Sequence, residues 1–428
     1  MDLIIQLLAF GLLAGLTGYV ASLVAGQIRS SALANRNAEL ERGYLQARIQ
    51  QVMDQRRFEQ ERHELSWNGF RKFQVVRKVP ESKDICSFYL SPHDRKPLPP
   101  YKPGQYLTFQ LNLDGKGGPS GKPVIRCYSL SDSPLHHDYY RVSIKRVPPP
   151  PDKPGIPPGL ASGYFHDTVK EGDILDVKAP AGQFSLDLSK QTPVVLIAGG
   201  VGLTPVLSML NAIVESGSKR ETWFFYGVRN SAEQIMKDHL ERLAAEHPNV
   251  RLQVCYSNPT EKEAQGRDYH QGERVSVDLF KRVLPSSNYE FYICGPPPMM
   301  NTITKDLEAW GVPESRVFFE AFGPATVKKL APAAAAAPAE ASAPAIEVTF
   351  AKSGKTCPWK PNGHSLLEFA EEQGVTIDSG CRAGNCGTCL TAVKSGEVSY
   401  TVDHGAKPEA GSCLVCISVP KANLVLDA

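Results

Sequence analysis

The sequence lacks an excess of charge of either sign. Its 428 residues contain 47 Lys and Arg against 45 Asp and Glu, a formal net charge of +2. A nucleic-acid-binding protein usually carries a strongly basic domain or stripe. The balance therefore excludes nucleic acid as the expected partner. The chain is also too long for one ordinary core, so we expect a multidomain protein.

Cysteine is sparse over most of the chain. Of the ten cysteines, those within residues 1–357 are widely spaced, and the remainder gather near the C-terminal end at Cys381, Cys386, Cys389, Cys413 and Cys416. The disulfide framework of a small secreted domain would not explain this distribution. The gathered cysteines indicate a metal or cluster site.

Charge is absent from a long N-terminal segment. Residues 3–25 are apolar apart from three uncharged polar residues, and this length suffices to cross the hydrocarbon core of a bilayer. A cleaved signal peptide is the alternative, but it would begin with a basic region, whereas Asp2 is the only charge ahead of the segment. We therefore predict a transmembrane anchor over residues 1–28.

Basic residues follow this segment and none precedes it. Arg29, Arg36, Arg42 and Arg48 lie on the C-terminal side, so the positive-inside rule predicts a single-pass membrane protein with cytoplasmic catalytic domains. Gly11 and Gly15 form a G-x-x-x-G pair, which lets two membrane helices approach closely. A dimer through this face is one expectation, and chance occurrence of glycine is the alternative.

The remaining chain divides by pattern into five parts. Residues 29–66 lack proline and space their apolar residues helically, which predicts a helical stalk. Short alternating runs in 67–188, broken by Pro and Gly, predict an antiparallel β-barrel. Apolar strands alternating with helical stretches in 189–325 predict a parallel α/β domain. An Ala- and Pro-rich linker at 326–345 then leads to a last domain, 346–428.

The last domain contains the most specific motif. Cys381, Cys386 and Cys389 have the spacing C-x4-C-x2-C, the plant-type pattern for a [2Fe–2S] cluster, which needs a fourth thiolate. Two C-x-x-C knuckles, 386/389 and 413/416, leave a structural zinc site as the alternative. With its interleaved glycines, this segment resembles the plant-type ferredoxin family. The resemblance implies an α+β (β-grasp) domain and Cys416, which follows Leu414 by two residues, as the fourth ligand.

The run Arg126-Cys127-Tyr128-Ser129 lies at the end of a predicted barrel strand, ahead of the α/β domain. With this run, residues 67–324 resemble the ferredoxin–NAD(P)+ reductase superfamily, most closely the reductase portion of flavohaemoglobins. It implies that Arg126, Tyr128 and Ser129 bind the flavin. It also implies that Gly159 and Ser162, in the run 159–164, contact the pyrophosphate of FAD, which favours FAD over FMN.

A glycine-rich turn between a strand and a helix indicates the coenzyme site. A helix N-terminus offers free N–H groups and a positive dipole end to a phosphate. We expect Thr204 to cap this helix and Pro205 to occupy its first turn. The resemblance extends to a second coenzyme loop after the fourth strand and to the run 319–324 beside the flavin. The implied coenzyme-binding residues are Gly199, Gly200, Gly202, Thr204, Pro205, Gly295 and Pro296. Phe322 is implied to lie beside the flavin, and Cys294, Tyr128 and Glu320 are implied to lie at the reacting rings.

The cofactors together predict an electron relay. Nicotinamide gives up two electrons as a hydride, a [2Fe–2S] cluster takes one, and flavin can do both. The expected order is NADH, FAD, cluster, acceptor. Arg229 could hold the 2′-phosphate of NADPH, but NADH-using relatives also have Arg there, so NADH is expected.

The electron acceptor is expected to be a separate protein. The module order resembles the reductase components of bacterial oxygenases, and the anchor favours a membrane-associated oxygenase, hydroxylase or desaturase. Two alternatives are reduction of a small acceptor, such as a quinone, ferric chelate or nitrogen oxide, and a redox-sensing protein.

Overall fold

The computed structural model describes residues 1–113, 123–149, 158–320, 322, 346–359, 364–380, 384, 387–401 and 408–428. Residues 1–63 form one compact unit and residues 64–428 another. The predicted ligands Cys381 and Cys386, and the linker, lie outside the described residues.

The N-terminal unit is a single helix, α1 (Asp2–Leu65). At 1.5 Å per residue its 64 residues extend over roughly 96 Å. It is long and apolar enough to cross a membrane, a property of length and composition that signal sequences and the core helices of soluble proteins share. Its apolar side chains are exposed, as at Phe10 and Leu12. The helix predicted over the stalk lies within α1 without interruption.

The next domain is a six-stranded antiparallel sheet in the order β4-β3-β6-β1-β2-β5. An isolated bridge between Leu130 and Val142 joins the ends of the sheet, which is how a barrel closes. Trp67 attaches the start of the domain, because its indole N–H donates to Val177 O at 3.0 Å. The elements are β1 (Arg71–Pro80), β2 (Ile85–Pro92), β3 (Tyr106–Leu111), β4 (Val124–Ser129), β5 (Tyr140–Lys145), α2 (Leu160–Asp167) and β6 (Ile174–Val177).

The following domain is a parallel five-stranded sheet in the order β11-β10-β7-β8-β9. Its three inner strands are buried on both faces because helices cover both faces. Leu196 packs in the cluster that contains α3, and the adjacent Ile197 packs in the cluster that contains α5 and α6. The elements are β7 (Val194–Gly199), α3 (Leu203–Glu215), β8 (Thr222–Val228), α4 (Lys237–Glu246), β9 (Val250–Tyr256), α5 (Val277–Val283), β10 (Glu290–Cys294), α6 (Pro297–Ala309) and β11 (Val317–Glu320).

The C-terminal domain combines a mixed sheet, β13-β12-β18-β14-β16, with a two-stranded sheet, β15-β17, and one helix. The helix begins with a capping box in which Ser365 and Glu368 satisfy each other's backbone N–H. The elements are β12 (Glu347–Phe350), β13 (Lys355–Pro358), α7 (Leu366–Glu372), β14 (Leu390–Ser395), β15 (Val398–Tyr400), β16 (Ser412–Leu414), β17 (Ser418–Pro420) and β18 (Leu424–Leu426).

Candidate functional site

The predicted flavin-binding residues lie on β4. Arg126 is exposed, Tyr128 is half-buried and Ser129 is buried at the end of the strand. The Tyr128 ring packs edge-on against Phe109 and Phe165, with centroids 5.8 and 5.3 Å away. Burial raises the pKa of Tyr128 far above its usual value, so the phenol stays protonated. The end of β4 therefore places the neutral ring of Tyr128 and the hydroxyl of Ser129 beside the exposed cation of Arg126.

The second flavin segment is the start of α2. Gly159 immediately precedes the helix, whose first N–H groups are free of intrahelical partners and suit a phosphate. Ser162 is buried, and its hydroxyl donates to Gly159 O at 3.0 Å and accepts from Val147 N at 3.1 Å. The Ser162 hydroxyl therefore ties the helix to the end of β5, and phosphate contacts at this segment would come mainly from the backbone.

The glycine-rich turn after β7 makes one 3-10 turn, Gly200–Gly202, before α3 begins at Leu203. The prediction that Thr204 caps this helix is wrong. Thr204 is the second helical residue, and its hydroxyl donates to Val201 O at 3.1 Å. Gly202 occupies the capping position instead, so the helix starts two residues earlier than expected. Pro205 lies in the first helical turn, as predicted. Proline has no backbone N–H, and at this position an N–H would have no intrahelical acceptor.

The two predicted coenzyme loops touch each other. A Cβ atom added to Gly202 would lie 2.2 Å from Cys294 O and 2.7 Å from Gly295 N. A Cβ atom on Gly199 would lie 2.8 Å from the Pro296 ring and 3.2 Å from Gly295 Cα. The loops after β7 and β10 can approach this closely only because both contain glycine. They form one backbone-lined surface at the carboxyl ends of parallel strands, where α/β domains bind ligands.

Cys294 and Glu320 end neighbouring parallel strands beside this surface. Ser129 of the barrel donates a hydrogen bond to Glu320 Oε2 at 3.2 Å, which brings the flavin strand to the coenzyme domain. Burial raises the pKa of Glu320 to about 8, and burial together with Glu320 raises the pKa of the Cys294 thiol well above its usual range. Phe322, 37% exposed, follows β11. Glu320 is thus a carboxyl that can hold a proton near neutral pH beside a neutral thiol.

The described cluster residues meet in the C-terminal domain. Cys389 Sγ lies 3.1 Å from Cys416 Sγ, although the two residues are 27 positions apart. Gly384 and Gly387 both have a φ of +71°, a backbone conformation that glycine adopts far more readily than other residues. Cys413 is buried in β16, where it pairs with Thr391. The paired sulfurs fit a cluster held in part by Cys389 and Cys416.

These observations fit the three expected groups. Arg126, Tyr128 and the start of α2 would hold FAD, Gly199–Gly202 and Gly295 would hold the nicotinamide coenzyme, and Cys389 and Cys416 would hold the cluster. When bound, FAD supplies the conversion of a two-electron hydride into single electrons. Rings bound in this way would lie between Tyr128, Ser129 and Cys294, close to the carboxyl of Glu320, whose pKa is raised.

Three family models match the chain in the order of these sites. They are the oxidoreductase FAD-binding domain over residues 72–186, the oxidoreductase NAD-binding domain over residues 196–305, and the 2Fe-2S iron-sulfur cluster binding domain over residues 348–421. The last match confirms the cluster prediction over the zinc alternative.

Similar proteins fall into two groups. The flavohemoprotein of Bacillus cereus is 42% identical over 261 residues, which are 60% of this chain and 62% of that protein, so the chain matches less than two thirds of its length. The solved FAD/NAD-binding domain of the Vibrio cholerae nitric oxide dioxygenase is 33% identical with a TM-score of 0.52, covering 60% of this chain and all of that one.

A second solved structure resembles the chain beyond the flavin and coenzyme domains. It is a phthalate dioxygenase reductase, 28% identical with a TM-score of 0.50, and the match covers 84% of this chain and 98% of that one. From the three models and these likenesses, the chain is an NAD(P)H-dependent flavin iron–sulfur oxidoreductase and belongs to the ferredoxin–NAD(P)+ reductase superfamily, with a C-terminal [2Fe–2S] ferredoxin domain.

Proposed function

We propose that the protein is a membrane-anchored, NADH-dependent reductase that passes electrons from FAD through the cluster to a membrane-associated oxygenase, hydroxylase or desaturase. The observation that carries the proposal is the combination of an apolar helix with the full set of flavin, coenzyme and cluster domains in one chain. The phthalate dioxygenase reductase is described as a modular structure for electron transfer from pyridine nucleotides to [2Fe-2S], which supports the same order here.

The helix α1 is suited to hold the reductase at a membrane and not to carry electrons. Residues 3–24 contain no His, Cys or Met that could ligate a haem or a cluster. The large apolar side chains from Ile4 to Val24 are exposed and would be buried by a bilayer. Anchoring confines a reductase and a membrane acceptor to one surface and raises their effective concentration.

Deleting residues 1–66 should yield a soluble reductase with full NADH-dependent reduction of ferricyanide. Trp67 remains in this variant, so its bond to Val177 and the start of the barrel are kept. Activity toward the native acceptor in membranes should fall by roughly a hundredfold, because linking two partners raises avidity on the order of 10²–10⁴. Both activities are measured at equal FAD content.

A matched control replaces residues 1–28 with an unrelated apolar span of the same length. If the only role of the anchor is to hold the reductase at the membrane, this variant keeps its activity toward the native acceptor. Undiminished activity of the truncated protein would argue for a soluble acceptor, including the small acceptors named above, and against a membrane partner.

The preference for NADH is supported by an ion pair after β8, where the adenosine ribose binds in α/β domains. Arg229 Nε lies 2.9 Å from Glu233 Oε1, and the main-chain N–H of Arg229 donates to Glu233 Oε2 at 3.3 Å. The Glu263 carboxylate accepts from Ser231 N at 2.8 Å. A 2′-phosphate at this point would meet two carboxylates, one of them already paired with Arg229.

Glu233→Gln should therefore shift coenzyme preference toward NADPH. One unit charge at about 4 Å is worth about 1 kcal/mol in water and more near a protein surface, and each 1.4 kcal/mol is tenfold. We expect the ratio of kcat/KM for NADPH to that for NADH to rise about tenfold, with the NADH value little changed. Steady-state ferricyanide reduction measures it. Glu246→Gln, an equal charge change at the exposed end of α4, should leave the ratio unaltered; an equal shift in that control would refute a local effect.

A further inference from the structure

A buried acidic residue lies three positions after the flavin-binding Ser129. Asp132 is 6% exposed, and its Oδ2 accepts from Tyr139 Oη at 3.0 Å and lies 3.3 Å from Arg141 Nη1. Arg141 is itself buried. A buried ion pair is stable only when its remaining hydrogen-bonding groups are also satisfied. The loop after β4 is therefore a rigid polar structure with a fixed carboxylate.

Within the barrel domain Asp132 also contacts the Tyr101 hydroxyl, the Ser133 N–H and the His136 ring, and the coenzyme domain supplies two further partners. Ser208 Oγ donates to the main-chain oxygen of Asp132 at 2.6 Å, and Asn211 Nδ2 donates to Asp132 Oδ1 at 3.1 Å. Ser208 and Asn211 are three residues apart on α3, so both point from one face of that helix. Both are buried. The contact joins two domains through fully desolvated hydrogen bonds.

The orientation of the Asn211 amide is determined by a chain of donors. Arg242 Nη2 lies 3.1 Å from His239 Nδ1, and since a guanidinium only donates, this nitrogen must accept. His239 then carries its proton on Nε2 and donates to Asn211 Oδ1 at 2.8 Å. Burial, with smaller effects of Arg141 and Arg242, lowers the pKa of His239, which agrees with the neutral ring. The amide nitrogen is thereby turned toward Asp132.

This contact lies between the flavin strand and the coenzyme loop. Asp132 follows the end of β4 directly, and α3 follows the turn that ends at Gly202. We propose that Asp132 and Asn211 are positioning residues that hold the coenzyme domain against the barrel and so set the separation of nicotinamide and flavin. Hydride transfer is sensitive to this separation, because a displacement of about 1 Å can cost on the order of a hundredfold in rate. The inference does not depend on the identity of the acceptor.

Asn211→Asp tests the proposal by placing a second carboxylate opposite Asp132. The like charges should open the contact. In the FAD-loaded protein, the rate of flavin reduction at saturating NADH should fall about tenfold or more, while the NADH concentration for half-saturation changes little. Hydrogen exchange without coenzyme should accelerate in residues 131–139 and 204–211 but not in β8 and β9. A role confined to stability would not separate the saturating rate from half-saturation in this way.

Asn288→Asp is the matched control, because Asn288 is exposed at the start of β10 and its Oδ1 already accepts from Arg316. This control should change neither the rate of flavin reduction at saturating NADH nor the hydrogen exchange of the two segments. Should Asn211→Asp fail to retain FAD, Asn211→Ser, which removes the amide without adding charge, is measured in the same way. A saturating rate equal to that of the control overturns the proposal, whether or not hydrogen exchange shows the contact open.

Discussion

Replacing Cys416 by serine is expected to leave the chain with FAD but without its iron–sulfur cluster. The cluster needs four thiolates, and a serine oxygen is a harder and poorer ligand for iron in such clusters. Cys416 Sγ lies 3.1 Å from Cys389 Sγ, so its loss removes one side of the site. Bound iron should fall from about two atoms per chain to near zero. Reduction of flavin by NADH should continue, because that step precedes the cluster.

Cys413→Ser is the matched control for this variant. Cys413 is buried three residues earlier, in β16, and the resemblance to ferredoxins assigns it no iron. Iron content, the visible spectrum and reduction of a one-electron acceptor should be retained. If the cluster survived in Cys416→Ser and disappeared in Cys413→Ser, the assignment of the fourth ligand would be reversed.

Gly202→Ala should abolish efficient use of NADH. The added Cβ would lie 2.2 Å from Cys294 O, whereas ordinary contacts are 3.4 Å or longer, so one of the two loops must move by about 1 Å. That movement displaces both the phosphate-binding turn and Cys294. Flavin reduction by NADH, followed by stopped flow, should slow on the order of a hundredfold or more. Reduction of flavin and cluster by dithionite should be unchanged.

The Gly200→Ala variant is the control. It separates the effect of a clash between the two loops from the effect of placing alanine at a positive φ. Gly200 has a φ of +54°, but no atom lies within 4 Å of the position that an added Cβ would take. Alanine there should cost about 1–2 kcal/mol of stability through its backbone conformation, without blocking the loop contact. A Gly202→Ala variant that reduced its flavin as fast as the Gly200→Ala variant would show that the loops tolerate separation.

The sequence was informative where one physical requirement determines the residue. Cysteine spacing predicted the cluster domain, and the family models confirm it. The alternation of the apolar strands β7, β8, β9 and β10 with helical stretches predicted the parallel sheet, since parallel strands need a crossover helix between them. The runs expected from the sequence are 193–198, 223–228, 251–256 and 290–294, and the bounds of each lie within one residue of the observed strand.

Other features leave no such pattern. β1 carries four basic residues and shifts register between Val75 and Arg77, so its alternation is broken and the strand was not predicted. The start of α3 depends on a 3-10 turn that glycine permits but does not require, which is why Thr204 was wrongly expected to cap the helix. Asp132, Asn211 and His239 are single polar residues far apart in sequence, and only the fold brings them together.

The buried contact at Asp132 also affects how the protein is synthesised. Asp132 and Asn211 are separated by 79 positions, and ribosomes add about 5–20 residues per second, so α3 emerges roughly 4–16 s after the barrel loop that it completes. Until then Asp132 lacks its hydrogen bonds from Ser208 and Asn211, and a fragment that ended at residue 188 would never form them. Gene recombination could therefore exchange the cluster domain, but a breakpoint between the barrel and the coenzyme domain would separate a carboxylate from the amide it needs. The two domains should be inherited together.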